Sequence, residues 1–297
     1  MAFFYTVLIE NALRETLQTQ SVSSPRLYAA LQDAVLNGGK RLRPNLVMLS
    51  ADLYDIAHEQ SLSIAIAAEL IHCYSLIHDD LPAMDDDDLR RGKPTLHKAY
   101  DEATAILVGD ALQARAFELI ASNSSIPADI RCDLIMALSH AAGAAGMVGG
   151  QMLDIMAETS LEAQTLESIT LLQAQKTGAL ICFAAKAGAI LAEDQQGKTL
   201  LNDYGAALGL CFQLTDDILD QESSAESMGK ATQKDDAANK ATFVRLLGLQ
   251  GAKQLAQSKA DDAITALETL EKQHQPANKQ AFDALRQLPQ RIVTRKS

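Results

Sequence analysis

Apolar residues recur along most of the chain at the three-and-four spacing of one helical face. The runs 62–78, 102–121 and 130–145 hold that spacing over several turns, and each predicts a long helix. Short polar breaks separate such runs: "SVSSP" (21–25), "ASNSSIPAD" (121–129), "AETSLEAQ" (157–164) and "AEDQQGK" (192–198). Their Ser, Asn, Asp, Gly and Pro content suits helix-to-helix turns. The strict alternation of a half-buried strand is nowhere sustained. At the loop spacing usual in bundles, the pattern predicts an all-α, single-domain bundle of about ten to twelve helices. One long segment, 221–242 ("QESSAESMGKATQKDDAANKAT"), is too polar for a core and predicts a mobile flap.

Composition agrees with this reading. Hydrophobic residues make up 47% of 297, glycine and proline number 16 and 7, and aromatics are 4%, which favours a large helical core. The net charge of −12 excludes nucleic-acid binding through a general basic surface and leaves phosphate-bearing small molecules open. Cys73, Cys132, Cys182 and Cys211 have no metal-site spacing and are expected as reduced core residues. "MAFFYTVLIEN" lacks the basic flank of a signal peptide, and no apolar run is expected to span a membrane. A cytoplasmic protein is the expectation.

Chemistry enters with "DDLPAMDDDDLRR" (79–91), six carboxylates within ten residues followed by two guanidiniums. Acidic runs are most often solvated faces, and a calcium loop is excluded because EF-hand spacing is absent. Here, however, the apolar stretch "IAAELIHCYSLIH" leads straight into Asp79, and Pro82 then breaks the helical pattern. A second cluster, "CFQLTDDILD", carries Asp216, Asp217 and Asp220 at i, i+1 and i+4, so Asp216 and Asp220 share a helical face. Carboxylates flanked by apolar residues need a cation. Mg2+ suits them, since it takes oxygen ligands from one or two carboxylates and completes its shell with water and substrate phosphate. No GxSxG, P-loop or paired-His motif competes. In "NGGKRLRP" (37–44), the glycines allow close backbone approach and Lys40, Arg41 and Arg43 supply phosphate donors; a helix end running into a basic surface would have the same composition. Arg90, Arg91, Lys176, Lys230 and Lys240 complete a dispersed set of cations.

Taken together, these segments resemble the trans-isoprenyl diphosphate synthases, and most closely their bacterial-type farnesyl members. The resemblance runs from about 31 to 249, with "GGKRLRP", "HCYSLIHDDLPAMDDDDLRRGKPT", "VGDALQ", "GGQMLD", "KTGAL" and "FQLTDDILD" in family order. Pro82 and Ala83 are the two extra residues of the bacterial type. Ser223, Ser224 and Asn239 depart from the family pattern.

The resemblance implies helices around a central active-site cavity, in which isopentenyl diphosphate is joined head to tail to dimethylallyl and then geranyl diphosphate. Farnesyl diphosphate is the expected product, with geranylgeranyl or geranyl diphosphate as alternatives. A terpene cyclase and a non-catalytic subunit of a heteromeric synthase are the rival readings, disfavoured by the basic segment and the intact second acid motif. By the same resemblance Asp79, Asp80 and Asp85 hold two magnesium ions, and Asp216, with Asp217 and Asp220 nearby, holds a third; manganese is the alternative metal. Gln151 and Asp154 support the metal shell. Arg90, Lys176, Lys230 and Lys240 grip the allylic diphosphate, while Thr177 and Gln213 turn oxygen toward the cation. Lys40, Arg43, His72 and Arg91 form the isopentenyl diphosphate site, although His72 alone would fit an ordinary core histidine. Tyr74, five residues before Asp79 and so about 7.5 Å below it on a regular helix, limits chain length beside Ser75. A homodimer is implied.

Overall fold

The computed structural model describes residues 4–18, 22–159, 164–227 and 242–295. Among them are thirteen α-helices: α1 (Thr6–Gln18), α2 (Pro25–Val35), α3 (Leu42–Asp52), α4 (His58–Asp79), α5 (Leu96–Ala99), α6 (Glu102–Ala121), α7 (Ala128–Ala142), α8 (Met147–Thr159), α9 (Leu166–Gln173), α10 (Ala179–Leu191), α11 (Gln195–Ser227), α12 (Phe243–Gln273) and α13 (Lys279–Val293). The tally exceeds the expected range by one, and α5 is a single turn. A π-helical turn, Ala174–Gly178, joins α9 to α10.

Local chemistry starts the helices where the polar breaks predict. Ser24 accepts the N–H of Leu27 ahead of Pro25, Asp101 accepts that of Thr104, and Thr165 and Ser168 form a reciprocal capping box, each satisfying N–H groups that the first turn leaves without partners. Packing supplies the rest. Helix α4 lies against α3, α6 and α10, and α11 is sandwiched by α10 and α12. One contiguous cluster of buried apolar side chains runs from Ile9 to Ile292, and a smaller one gathers Ile169, Leu214, Ile218 and Phe243.

The buried arginine of the basic segment is structural. Arg41, in a left-handed conformation (φ 48°), donates to Glu10 at 2.8 Å, Glu69 at 2.6 Å and the carbonyl of Val35 at 2.7 Å, tying α1, α2 and α4 together. Burial lowers its pKa, but Glu69 and Glu10 outweigh that and raise it. This corrects its expected place among the phosphate donors.

Other expectations change as well. Cys132 is exposed, while all four cysteines are free. Two stretches, His58–Asp79 and Ala128–Glu158, are long and apolar enough to cross a membrane by length and composition; the first is 67% buried in the fold, where packing accounts for its apolar character, and the second 33%. Residues 221–227 continue α11 and so do not begin a loop. Lys230, Lys240 and Asn239 lie outside the described residues, as do the side chains of Ser223 and Ser224.

Candidate active site

Helix α4 ends at Asp79 because Pro82 cannot extend it. The chain then turns tightly, with Met84 N–H donating to Leu81 at 2.9 Å and Asp86 N–H to the same carbonyl at 3.2 Å. That turn carries Asp85 back until its N–H donates to the carbonyl of Asp79 at 2.9 Å. Asp79 and Asp85 are thus neighbours through a loop and not through helical register.

The other acids of the run diverge. Asp80, 3% exposed, accepts the Nε of Arg90 at 2.7 and 2.9 Å, while Asp86 and Asp88 lie 3.8 and 2.8 Å from Lys98. Leu89–Arg90 and Lys93–Pro94 form a two-residue antiparallel hairpin, a small strand element that the apolar pattern does not announce. Its turn residues, Arg91 and Gly92, have φ of 54° and 76°, the type I′ signature that matches strand twist. The hairpin separates the two arginines: Arg90 reaches Asp80, and Arg91 donates to the carbonyl of Gly38. Gly39 has φ 135°, a backbone conformation that favours glycine, and a Cβ there would displace the tip of the Arg91 side chain.

A cavity of about 320 Å³ opens beside Asp79. Tyr74, Ser75 and His78 of α4, Val148, Met152 and Ile155 of α8, and Lys176 and Thr177 of the π-turn line it, with Arg43, His72 and Gln151. Burial pushes the Asp79 carboxyl up to about 6, against the opposing pull of the Lys176 ammonium. Lys176 pairs with Asp154 at 2.5 Å; burial lowers its pKa, but Asp154, Asp79 and Asp85 raise it further. Gly150 lets α8 approach this closely, since a Cβ there would fall 2.1 Å from the backbone nitrogen of Lys176. Thr177 Oγ1 stands 3.4 Å from Gln213 Oε1, and Gln213 donates in turn to Asp217 at 2.9 Å.

The second acid cluster splits in the same manner. Asp217 is buried and accepts the N–H of Phe243 at 2.9 Å, so its carboxylate anchors the start of α12. Inside the fold it satisfies a buried backbone donor. Asp220 is exposed. Asp216 is half-exposed and bound by Arg295; burial raises its pKa, opposed by Arg295 and then Lys40. The Asp80–Arg90 pair lies apart from these groups. Both residues line a separate cavity of about 220 Å³ together with Arg91, Cys73 and Ile77 of the opposite face of α4, and each neutralises the other, away from the larger cavity.

The donor set fits a hard divalent cation. Asp79, Asp85, Asp216 and Asp220 offer only oxygen, and Gln151 Oε1 is a buried acceptor without a hydrogen-bond partner on the same cavity. Among the described residues no three His, Cys, Asp or Glu side chains converge closely enough to enclose an ion. Any ion here must complete its shell with substrate oxygen and water, the habit of Mg2+.

The profile of the Polyprenyl synthetase family matches residues 24–284. The chain belongs to this family. A farnesyl diphosphate synthase of Haemophilus influenzae is 45% identical over 276 residues, 91% of this chain and 89% of the relative. One from Micrococcus luteus is 44% identical over 293 residues, 98% and 96%. The apo crystal structure of an FPP/GFPP synthase from Zymomonas mobilis superposes with a TM-score of 0.84 at 42% identity, covering 97% of this chain and 95% of that one. The polyprenyl synthetase membership accounts for the motif order and for the helical fold.

One residue and one contact of this polyprenyl synthetase site escaped sequence reasoning. Arg295 belongs to no motif; only its place in the basic stretch "RIVTRK" marks it. The Gln213–Asp217 contact could have been found, because residues four apart share a helical face.

His72 lies amid Arg43, Arg91, Arg41 and Arg90, and burial first, then those charges, hold its pKa well below the usual 6.5. The unfolded chain therefore takes up this proton first as pH falls. The stability that a neutral His72 contributes is present above pH 6.5 and is lost as pH drops toward its folded-state value. In urea unfolding between about pH 6.5 and 5, H72Q should show a flatter pH slope than the parent; an identical slope would show that folding leaves the protonation of His72 unchanged.

Proposed function

We propose that the protein is a prenyltransferase that condenses isopentenyl diphosphate with dimethylallyl and then geranyl diphosphate to release farnesyl diphosphate. The observation that carries this is a single cavity with an acidic, lysine-bearing rim and an apolar wall: Asp79 and Lys176 share it with Tyr74, Val148 and Met152. A diphosphate suits the former and a prenyl tail the latter. Similarity to the farnesyl diphosphate synthases of Haemophilus influenzae and Micrococcus luteus supports the substrate class.

Ionisation of an allylic diphosphate separates an anion from a carbocation, so the demand on the site is electrostatic. Mg2+ bound by Asp79, Asp85 and Asp216, three ions per site and replaceable by Mn2+, would neutralise the departing anion. Lys176 adds a fixed positive charge on the same side, and Thr177 and Gln213 direct oxygen toward the cation. Lys40, Arg43 and Arg91 take isopentenyl diphosphate without metal, beside a neutral His72. Its double bond then attacks the cation, and the released diphosphate accepts the proton. Assayed with radiolabelled isopentenyl diphosphate, D79A, D85A and D216A should each lose at least ~100-fold in turnover while keeping the helical circular-dichroism spectrum. Near-parental rates at saturating Mg2+ would remove these residues from the metal site.

Tyr74 carries the product length. It is 6% exposed, lines the cavity, and meets His78 edge-on with ring centroids 5.7 Å apart, so its bulk closes space that a longer tail would occupy. Y74A should yield geranylgeranyl and longer diphosphates; an unchanged farnesyl product would place the floor elsewhere.

A homodimer completes the proposal. Helices α6 and α7 pack together, and Ile106, Leu107 and Met136 on them are 43%, 58% and 62% exposed, an apolar face suited to a second copy. Sedimentation velocity should find a dimer that L107E converts to monomer, and a monomeric parent would overturn this.

A further inference from the structure

Two buried arginines in this fold are bound very differently. Arg41 uses Nε, Nη1 and Nη2 on Glu10, Glu69 and the Val35 carbonyl, the full engagement expected of a permanent structural ion. Arg295, just beyond the C-cap of α13, is also nearly buried, with its side chain 5% exposed. It uses Nη2 alone, donating to Asp216 Oδ1 and, at 3.3 Å, to the carbonyl of Phe212. Its Nε is buried with no hydrogen-bond partner, and its guanidinium stacks 4.3 Å above the Phe212 ring. A buried N–H without an acceptor is destabilising, so this contact is poorer than burial permits.

Asp216 is the carboxylate that Arg295 covers, and it is the half-exposed acid that the proposed function gives to a metal ion. A divalent cation held by Asp216 would stand beside the Arg295 guanidinium, and the two positive charges repel each other. We infer that Arg295 is a positioning residue that holds Asp216 before substrate loads and is exchanged for the divalent cation when diphosphate arrives. The end of α13 must then leave Asp216 as the ion is taken up. This rests on the reading of Asp216 as a metal-holding residue. Phe212 supplies the alternative resting surface, because a cation can remain over an aromatic ring without a carboxylate partner.

The test titrates the full chain with Mg2+ in the presence of inorganic diphosphate at constant ionic strength, followed by calorimetry. R295Q keeps a hydrogen-bonding side chain and removes the charge. It should bind Mg2+ about fivefold more tightly, the scale of a half-exposed ion pair, while melting at a lower temperature in chelator; R295K should stay near the parent. A purely structural Arg295 would lower the melting temperature and leave Mg2+ affinity unchanged or weakened, and that result would overturn the exchange. D216N separates the two ideas. If it lowers the number of Mg2+ ions bound by one, the metal reading stands and R295Q decides the exchange; if Mg2+ stoichiometry and affinity are unchanged in D216N, the metal reading fails and the exchange with it. The parent protein gives a second measurement that needs no variant. Hydrogen exchange in the 288–295 segment should quicken when Mg2+ and diphosphate are added, and exchange that slows or stays constant would overturn the inference.

Discussion

Carboxylates held against apolar surface must be met by positive charge, and the arrangement of this protein follows from how each one is met. Asp80 has Arg90, Glu69 has Arg41, and Asp154 has Lys176. These pairs are complete within the chain. Asp79 differs, because burial outweighs the Lys176 ammonium and leaves its carboxyl near 6. Desolvation wins there, so the fold leaves a deficit of positive charge at the one acid that also borders the apolar cavity. In a chain of net charge −12, these buried pairs place cations where the fold would otherwise hold an uncompensated charge.

Straight helices cannot bring such groups together, since neighbouring residues on a helix diverge by about 100°. The irregular segments do it. Of the nine positive-φ positions among the described residues, six (Gly38, Gly39, Arg41, Asp86, Arg91 and Gly92) lie in the acid run, the basic segment or the hairpin between them. Three of these are not glycine, and each costs on the order of 1 kcal/mol in the left-handed region. The Arg41 network with Glu10 and Glu69 more than offsets one such cost. Rigidity of the loops therefore has its source in a buried ion cluster on their far side.

Element type was legible in the sequence because the three-and-four spacing is long and one polar break carries a real cap, Ser24. The motif acids were legible as a group. Their division was not, although helical angle alone would have supplied part of it: Asp80 and Asp217 each follow a neighbour by one residue and so point some 100° away, one toward Arg90 and the other toward Phe243 N–H. What no local pattern could supply were partners distant in sequence. Arg295 meets Asp216 across 79 residues and Arg41 meets Glu69 across 28, and nothing in either neighbourhood names the other. The π-turn at Ala174–Gly178 is equally silent, since its residues would serve an α-helix as well.

That turn is where the two acid clusters come closest through side chains. Its inserted residue widens the backbone, and Lys176 and Thr177, adjacent in sequence, face different partners: Lys176 faces Asp154 and the Asp79–Asp85 pair, Thr177 faces Gln213. Gln213 holds Asp217, and Asp217 holds the N–H of Phe243, the first residue of α12. One irregular turn thus places a cation toward the first cluster and a hydroxyl toward the second, a division that adjacent residues achieve because they diverge by about 100° around the axis.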